Sequence, residues 1–398
     1  MKILLVHNEY KSKGGEDTVL ELEYKLLEKH GHQVELYTVS NDEINVGKAT
    51  SKIRAGLETI WSRKSYKNFL EVLQEKKPDI IHVHNTFPML SPSVYWAASK
   101  KNIPIVQTLH NYRLTCANAL LMKDGKPCEL CVGAKFPIEA IKNRCYRDSI
   151  SATSAIVGMQ MTNKMIGTYK NKVDGYITLT EFAKNIMVES GLPDRNLYVK
   201  PNFIPDPIEN IKYSKNEEGI KKIVFVGRIT YEKGVDLLLD AWSKIDKNKY
   251  ELVIVGDGPE KEKLQKKYGE DEQVNWRGWL NREEVLQEIS ESNFIVMPSR
   301  WYEGFPMVIV ESLALGTPAI VPNHAGFPEI INDNQEGYFF KPGEKESLEL
   351  ILEKGVNTNL DDLNKMKKNS RNRYLAHYTE EQNYSTLINI YRMVKEKK

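Results

Sequence analysis

The sequence has few cysteines, no long apolar run at its start and little net charge, and each shortage argues against a class of protein. Four cysteines in 398 residues are too few for a disulfide-stabilised scaffold, so a reducing cytoplasm is the expected compartment. The apolar start, residues 3–6, ends before His7 and is too short for a signal peptide or a membrane span, so it predicts a first strand. A net charge of +2 argues against a dedicated nucleic-acid binder. What remains is an ordinary soluble composition, long enough for two or three domains.

The first half of the chain alternates apolar strand patterns with helical patterns. Strands are predicted at residues 3–6, 34–39, 80–84, 103–109 and 176–179. This alternation predicts a mainly parallel sheet, in which ligands bind at the carboxyl ends of the strands. His84 and His110 fall at strand ends. His82 and His84 share a strand face, and two lone histidines are more often packing or cleft-lining residues than metal ligands.

Gly14 and Gly15 lie between the first strand and the first helix. This loop lacks the G-x-G-x-x-G pattern, so nothing in it indicates a dinucleotide. A glycine pair lets the backbone pass close to a ligand, or it simply makes a turn.

Prolines mark the connection between the two halves. Residues 197–207 contain Pro201, Pro205 and Pro207, and a polar stretch follows at 209–219. Apolar strand patterns then return at 223–226, 252–255, 274–280, 294–297 and 318–321. The second half is therefore predicted to be another α/β domain. The glycine-rich turn at 256–259 is consistent either with a plain strand-to-helix turn or with ligand contact.

Two cations follow the strand at 223–226. Arg228 offers a fork of donors and Lys233 a compact point charge, and together they suit a diphosphate leaving group. Charge on a leaving group must be neutralised in the transition state, and no pair of metal-binding carboxylates is evident. These two side chains are therefore the predicted source of that neutralisation.

Two glutamates, Glu303 and Glu311, lie eight positions apart in the block at residues 300–318. This block reads as a strand end, a Gly/Pro turn and a helix start, an arrangement that presents backbone N–H groups to an anion. Carboxylates would repel a phosphate, so they are better explained as acceptors for sugar hydroxyls. For one glutamate alone, a helix cap or a solvated helix face would be the simpler explanation.

These two blocks resemble the retaining glycosyltransferases of family 4, and the resemblance extends over nearly the whole chain. It implies an α/β fold of two Rossmann-like domains facing across a cleft, the GT-B architecture, with a C-terminal helix crossing back to the first domain. The expected domains are an acceptor-side domain at 1–203, with a cysteine-rich insertion at 111–147, a nucleotide-sugar domain at 204–378, and the returning helix at 379–398.

The resemblance also implies roles for single residues. The expected catalytic residues are Glu303, His110, Arg228 and Lys233. The expected donor-binding residues are Gly14, Gly15, Arg228, Lys233, Gly278, Trp279, Leu280, Glu303, Gly304, Phe305, Pro306, Met307 and Glu311. In this set the loop at 278–280 lies beside the base of the nucleotide, and Glu311 binds the ribose hydroxyls. His110 stands where the family has a histidine beside the donor sugar, with a satisfied strand-end histidine as the plainer alternative.

The expected activity is transfer of a hexose, with retention, from a UDP- or GDP-linked donor to a hydroxyl of a saccharide or lipid-linked acceptor. Surface-polysaccharide or glycolipid synthesis is the expected setting, and catalysis is expected to need no cofactor. One rival is a GT-B sugar-nucleotide epimerase or phosphorylase. Another is a non-catalytic nucleotide-sugar-binding scaffold at the membrane, against which the intact set of cations and glutamates argues.

All four cysteines, Cys116, Cys128, Cys131 and Cys145, fall within the insertion after His110. The two-residue spacing between Cys128 and Cys131 is that of a zinc knuckle, with one further cysteine on each side. The sequence leaves open whether these residues bind a structural zinc or remain reduced thiols or disulfides. We expect the insertion to shape the acceptor side of the cleft.

Residues 48–77 interleave basic residues with Trp61 and aliphatic side chains. Such a pattern suits peripheral contact with the inner face of an anionic membrane. It is also typical of an ordinary helix with a solvated basic face, which is the simpler interpretation.

Overall fold

The computed structural model describes residues 1–9, 14–40, 56–208, 221–245, 250–269 and 271–398. The polar stretch predicted at 209–219 and the first part of the basic segment, residues 48–55, lie outside these ranges. The described residues divide into two compact units. The first comprises Met1–Leu121, Cys128–Asn202 and Asn383–Lys398, and the second comprises Met122–Pro127 and Phe203–Gln382.

The first unit is built on a six-stranded parallel sheet. In chain order the strands as far as residue 199 are β1 (Lys2–Glu9), β2 (Gln33–Ser40), β3 (Ile80–Val83), β4 (Ile105–Leu109), β5 (Met122–Lys123), β6 (Lys126–Pro127), β7 (Gly175–Thr178) and β8 (Leu197–Val199). Their order in the sheet is β2-β1-β3-β4-β7-β8, while β5 and β6 form a separate antiparallel hairpin. Because strand order reverses between β1 and β3, the loops that follow these two strands diverge and leave room for a ligand.

Helices connect the strands of this unit. They are α1 (Gly15–Lys29), α2 (Arg63–Lys76), α3 (Ser93–Lys100), α4 (Ile138–Lys142), α5 (Ile150–Met165), α6 (Thr168–Asn171) and α7 (Glu181–Glu189). The side chain of Ser62 caps α2 by accepting a hydrogen bond from the Ser65 amide. Phe69 and Leu73 are the buried residues of α2, and the Trp61 ring packs edge-on against Trp96. This part of the basic segment thus has an apolar face that packs within the unit.

The second unit repeats the same architecture. Its strands are β9 (Lys221–Val226), β10 (Tyr250–Val255), β11 (Val274–Gly278), β12 (Phe294–Val296), β13 (Ala319–Pro322) and β14 (Gly337–Phe340). They pair in parallel in the order β11-β10-β9-β12-β13-β14, which is the doubly wound order of a Rossmann sheet. The sequence pattern placed the last strand at 318–321, but β14 follows it and forms the edge of the sheet. Strand order reverses between β9 and β12.

The helices of this unit, and the last helix of the chain, complete the fold. They are α8 (Val235–Trp242), α9 (Lys261–Tyr268), α10 (Arg282–Ser290), α11 (Met307–Ala314), α12 (Phe327–Ile330), α13 (Lys345–Val356), α14 (Leu360–His377) and α15 (Glu380–Glu396). The core of the unit gathers Trp242, Phe225 and Phe294, which are almost wholly buried. Each such side chain contributes roughly 1.5–3 kcal/mol to stability by leaving water. None of the described helices combines the length and apolarity that crossing a membrane requires.

The C-terminal helix α15 packs on the first unit. Leu387, Ile390 and Val394 are buried in the same cluster as Ile3 and Leu5 of β1. The helix therefore follows the second unit in sequence but contributes its apolar face to the core of the first, as the resemblance implies.

Candidate active site

In the second unit, the loops after β9 and β12 start from adjacent strands at the point where strand order reverses. The loop after β9 carries Arg228 and Lys233, and the loop after β12 carries Glu303. In open α/β sheets this is the position at which ligands bind. The two blocks that the sequence singles out are therefore neighbours in the fold.

Three donors hold Glu303 by a single oxygen. Its Oε1 atom accepts hydrogen bonds from Lys233 Nζ at 2.7 Å, Ser299 Oγ at 2.6 Å and Trp301 Nε1 at 2.8 Å. The carboxylate is almost entirely buried, and Lys233 also lies over the Trp301 ring. Because one oxygen takes all three bonds, the orientation of the carboxyl group is fixed and Oε2 is the oxygen left for a ligand.

A second ion pair joins the two loops. The guanidinium of Arg300 binds both carboxylate oxygens of Asp236, at 2.6 and 2.9 Å, and also donates to the carbonyl of Tyr231. Two parallel bonds between planar groups fix orientation as well as distance. This two-bond ion pair connects the loop after β12 to the start of α8. It thereby helps to keep Lys233 and Glu303 in contact.

Backbone contacts require glycine beneath these loops. A Cβ on Gly234 would lie 2.1 Å from the carbonyl oxygen of Pro298, and the residue has a φ of 73°. A Cβ on Gly256 would lie 1.9 Å from the carbonyl oxygen of Gly227. The glycine-rich turn at 256–259 is therefore explained by close backbone packing under the cationic loop.

Arg228 is exposed, unlike its neighbours Ile229 and Thr230. Within the part of the chain that the structure describes, its guanidinium forms no ion pair and no hydrogen bond. An arginine that protrudes from a strand-end loop with all its donors free is well suited to an anionic ligand. Arg228 and Lys233 thus differ, because Lys233 already has a carboxylate partner in Glu303.

The helix α11 begins beside Glu303. Phe305 and Pro306 are buried, Gly304 and Met307 are half-buried, and Pro306 occupies the N-cap position. The first turn of α11 itself contains no acidic side chain, so any charge that offsets the positive end of its dipole comes from outside the helix. This arrangement supplies backbone donors next to the fixed carboxylate.

Glu311 lies on α11 with its side chain 14% exposed and Arg282 Nη2 at 3.5 Å. Burial raises the pKa of Glu311, and the charge of Arg282 opposes that effect. A carboxylate buried with a single long ion pair has unused acceptor capacity.

The loop after β11 exposes a large aromatic side chain. Gly278 has a φ of 69°, and its carbonyl accepts the amide of Gly256 at 2.7 Å. Trp279 is 76% exposed and Leu280 is half-buried. The structure thus places residues 278–280 at the carboxyl end of the sheet.

His324 is a candidate site residue that the sequence did not reveal. It follows β13, its ring lies edge-on to Tyr302, and its Nε2 atom is buried with no hydrogen-bonding partner in the described part of the chain. Burial lowers the pKa of His324 to about 4, against the raising effect of Glu303. A neutral histidine with a free ring nitrogen near Glu303 is a further candidate for contact with a sugar. A histidine soon after a predicted strand end was the available signal.

In the first unit, Gly14 and Gly15 begin α1. The Gly14 amide donates to Asp17 Oδ2 at 2.7 Å, and the other Asp17 oxygen lies 2.9 Å from His7 Nε2. A Cβ on Gly15 would meet nothing within 4 Å among the described residues. Packing within this part of the structure therefore does not require glycine at position 15, which leaves room for a ligand.

His110 follows β4, and His84 follows β3. His84 Nδ1 lies 3.0 Å from His110 Nε2, and the two rings are stacked. Burial lowers the pKa of His110 well below its usual value, and neighbouring His84 contributes in the same direction. The two strand-end histidines thus form a pair in which His110 is the more exposed member.

Glu23, His82 and His84 are the one group of three or more potential metal ligands that the described residues bring within 4.8 Å of one another. Lys200 Nζ already lies 2.7 Å from Glu23, and both ring nitrogens of His82 have hydrogen-bonding partners. These contacts satisfy much of the group without an ion.

The four cysteines are free thiols in this structure. Cys116 Sγ donates to Asn118 Oδ1 at 2.9 Å. Burial raises the pKa of Cys131 to about 11, and the charges of the other three cysteines raise it further. All four therefore lie in one neighbourhood, but no three of their sulfur atoms come within 4.8 Å of one another in this structure. The structural zinc stays a prediction.

Comparison with known proteins identifies the family. The family model described as "Glycosyltransferase Family 4" matches residues 13–206, and the one described as "Glycosyl transferases group 1" matches residues 207–373. The chain belongs to this family of glycosyltransferases. It is therefore an enzyme that transfers a sugar from a nucleotide sugar, and the resemblance seen in the sequence is confirmed.

Relatives of this glycosyltransferase include enzymes named for a glycolipid and for lipopolysaccharide. The chain is 24% identical to the alpha-monoglucosyldiacylglycerol synthase of Streptococcus pneumoniae, over 82% of its own length and 72% of the relative's. Its fold is similar to that of the lipopolysaccharide outer core galactosyltransferase WaaB (TM-score 0.68, 18% identity, covering 98% and 99% of the two chains). It is also similar to Anabaena HepE in complex with UDP (TM-score 0.67, 14% identity, covering 100% and 99%). These likenesses confirm the GT-B fold.

Proposed function

We propose that this glycosyltransferase moves a hexose, with retention of anomeric configuration, from a UDP- or GDP-linked donor to a hydroxyl of a lipid-linked saccharide. The observation that carries the proposal is the 2.7 Å pair between Lys233 and Glu303; the loop that carries Lys233 also carries Arg228, whose side chain has no partner among the described residues. Cations for a diphosphate and an acceptor for sugar hydroxyls are thus adjacent on two loops of one unit. Cations at this position would stabilise the charge that develops when a sugar–phosphate bond breaks.

In the proposed reaction the bond between C1 and the departing phosphate oxygen breaks while the acceptor oxygen bonds to C1 on the same face. The proton of the acceptor hydroxyl moves to the departing phosphate oxygen, so no covalent intermediate on the enzyme is needed. Arg228 and Lys233 stabilise the charge that develops on the diphosphate. Glu303 Oε2 accepts a hydrogen bond from a hydroxyl of the donor sugar, and the carboxylate of Glu311 accepts hydrogen bonds from the ribose hydroxyls.

The same proposal assigns the loop at 278–280 to the base, and the N-terminus of α11 to the donor. Gly14 and Gly15 approach the donor phosphates, and His110 contacts the donor sugar. HepE has been solved with UDP-glucose, which supports a uridine nucleotide, and the diacylglycerol relative supports an acceptor at a membrane. Arg228 and Lys233 supply the positive charge, so we expect catalysis without a metal cofactor.

A panel of UDP- and GDP-hexoses tests the proposal. The cognate donor should raise the melting temperature, because a ligand at about 100 times its Kd adds roughly 2.7 kcal/mol to stability. With that donor and a lipid-linked saccharide, NMR of the product should show the anomeric configuration of the donor. An inverted product would contradict retention. Release of an altered nucleotide sugar without any acceptor would indicate an epimerase instead.

A further inference from the structure

A cavity opens inside the first unit, at the carboxyl ends of β3 and β4, where ligands of parallel sheets bind. Its half-buried lining residues include His110, Asn111 and Leu114, and its buried ones include Gln107 and Tyr169. The half-buried residues therefore mark its mouth and the buried ones its floor. The proposed function places His110 beside the donor sugar but assigns the cavity no ligand.

Tyr169 on α6 brings an unused hydroxyl group to the floor. The residue is 6% exposed, and its buried Oη atom has no hydrogen-bonding partner among the described residues. Burial raises the pKa of Tyr169, so the phenol stays protonated and can donate. A buried hydroxyl without a partner is costly, so a ligand atom that accepts from it would be stabilised there.

Gln107 on β4 brings a second unused donor. It is also 6% exposed, and its Oε1 atom accepts a hydrogen bond from Tyr95 Oη at 2.8 Å. Its Nε2 atom has no acceptor in the part of the chain that the structure describes. The floor therefore offers two donors, which suit a ligand oxygen that accepts two hydrogen bonds.

The cavity suits a neutral ligand group. The two unused donors belong to a phenol and a carboxamide, which carry no charge. Burial lowers the pKa of His110 well below its usual value, so that ring is neutral near pH 7. The guanidinium of Arg113 lies over the rings of Phe87 and Tyr146, and its Nη1 atom donates to a backbone carbonyl. A carboxylate on the floor would meet these neutral donors, which compensate the burial of its charge poorly.

The size and the apolar walls of the cavity narrow the ligand further. Phe87, Leu114 and Met159 are among the lining residues, and Phe87 and Met159 are buried. The volume is about 40 Å³, room for about three water-sized groups at roughly 10–15 Å³ each. An acetyl group has three non-hydrogen atoms: a carbonyl carbon, its oxygen and a methyl group. It therefore matches the cavity in size, in its acceptor oxygen and in its apolar end, whereas a hydroxyl would leave the apolar walls uncovered.

We propose that this cavity is a subsite for the acetamido group of an N-acetylated sugar. The carbonyl oxygen accepts hydrogen bonds from Tyr169 Oη and Gln107 Nε2, and the methyl group packs against Phe87 and Met159. That a sugar lies at the mouth rests on the proposed function, but the fit of an acetyl group to the cavity does not. The acceptor sugar and the donor sugar are the two sources of such a group, and separate probes distinguish them.

Saturation-transfer NMR of the full-length protein tests the subsite without requiring activity. The acceptor probes are the methyl glycosides of N-acetylglucosamine and N-acetylgalactosamine, compared with those of glucose, galactose and glucuronic acid. The donor probes are UDP- and GDP-linked N-acetylhexosamines, compared with the corresponding hexoses. In one of the two sets, the acetyl methyl protons should receive the strongest saturation, and the acetylated probe should bind roughly tenfold more tightly than its plain counterpart. Plain or acidic probes that bind as tightly as the acetylated ones would overturn the proposal.

Two buried tyrosines provide a matched pair of variants. Tyr169→Phe removes an Oη atom that no described residue uses, so Tm should be retained while affinity for the acetylated probe falls roughly tenfold. Tyr176 is equally enclosed, and its Oη atom donates to the carbonyl of Tyr169 at 2.8 Å. Tyr176→Phe should therefore lower Tm and retain the affinity. Unchanged affinity in Tyr169→Phe, or an equal loss in Tyr176→Phe, would overturn the assigned contact.

A transfer assay separates the subsite from the proposed function. The wild-type enzyme should prefer the acetylated substrate by roughly tenfold in kcat/KM, and Tyr169→Phe should reduce that preference. Equal kcat/KM for acetylated and plain substrates would overturn the subsite and leave the transferase function intact. A protein that binds the acetylated probe as expected but transfers no sugar would instead count against the proposed function.

Discussion

Lys233 Nζ lies 2.7 Å from Glu303 Oε1, joining the loop after β9 to the loop after β12. Ser299 and Trp301 donate to the same carboxylate oxygen. The group proposed to bind phosphate and the group proposed to bind the sugar therefore hold each other in place. Changing either one removes a contact with the ligand and the support of its partner.

Lys233→Ala and Glu303→Gln should each lower kcat/KM by at least about tenfold, equivalent to roughly 1.4 kcal/mol of transition-state stabilisation. The glutamine can still accept from Ser299 and Trp301, so Glu303→Gln chiefly removes charge. Lys263→Ala is the matched control, since Lys263 is 77% exposed and pairs with Glu260 on the surface at 3.0 Å. Steady-state kinetics with the cognate donor give the comparison. Full activity in either site variant would remove the role of that residue.

Gly234→Ala should be far more damaging than Gly343→Ala. Both glycines have left-handed backbones, with φ of 73° and 70°, so both alanines cost about 1 kcal/mol of backbone strain. Only the Cβ at position 234 meets a carbonyl, that of Pro298 at 2.1 Å, whereas position 343 is open. Gly234→Ala should therefore also lower kcat/KM, because the loop carrying Lys233 must shift. Equal melting temperatures and activities for the two variants would contradict this backbone contact.

Glu311→Gln should stabilise the protein near pH 7 while weakening donor binding roughly tenfold or more, the usual size of a lost hydrogen bond to a charged group. Burial raises the pKa of Glu311 in the folded state. The folded state therefore favours the protonated form of Glu311. The stability that this form contributes is complete below the pKa of Glu311 in the unfolded chain and is lost as pH rises through its pKa in the folded state. The gain in Tm should be present at pH 7.5 and shrink towards pH 4. Unchanged nucleotide affinity in this variant would exclude a ribose contact.

The cysteine-rich insertion should bind about one zinc per chain through Cys116, Cys128, Cys131 and Cys145. Burial raises the pKa of Cys131 to about 11, so its thiol must lose a proton on binding, and affinity should increase with pH. Elemental analysis of the purified protein measures the metal, and treatment with a chelator should lower Tm. Cys131→Ser should abolish the metal. Less than about half an equivalent in the wild-type protein would favour reduced thiols.

The strands and helices of both units could be predicted from the sequence, because apolar periodicity and turn residues determine secondary structure locally. Strand ends could be read from apolar runs that stop at Gly227, His84 and His110, and parallel sheets place such ends at one edge. The candidate site residues Arg228, Lys233 and Glu303 were found in this way. The edge strand β14 was missed, because Gly337–Phe340 is only four residues long.

Contacts that depend on exact distances were beyond the sequence. Nothing in the sequence pattern shows that Lys233 pairs with Glu303, or that Arg300 forms an ion pair with Asp236, 64 positions away. Glu23 left a signal, since it interrupts the apolar stripe of α1, but its partner Lys200 lies 177 positions away. His324 left a weaker signal in the sequence, because only the folded structure shows that its Nε2 atom is buried without a partner among the described residues.

The central claim is that Arg228 and Lys233 bind the diphosphate of the donor. Calorimetric titration with the nucleoside diphosphate and the monophosphate of the cognate base tests it most directly. In the wild-type protein, the β-phosphate should strengthen binding at least about tenfold, as charge-assisted bonds to phosphate do. In the double variant Arg228→Ala with Lys233→Ala, the diphosphate and the monophosphate should bind almost equally. A β-phosphate that contributes as much in the double variant as in the wild type would contradict the account.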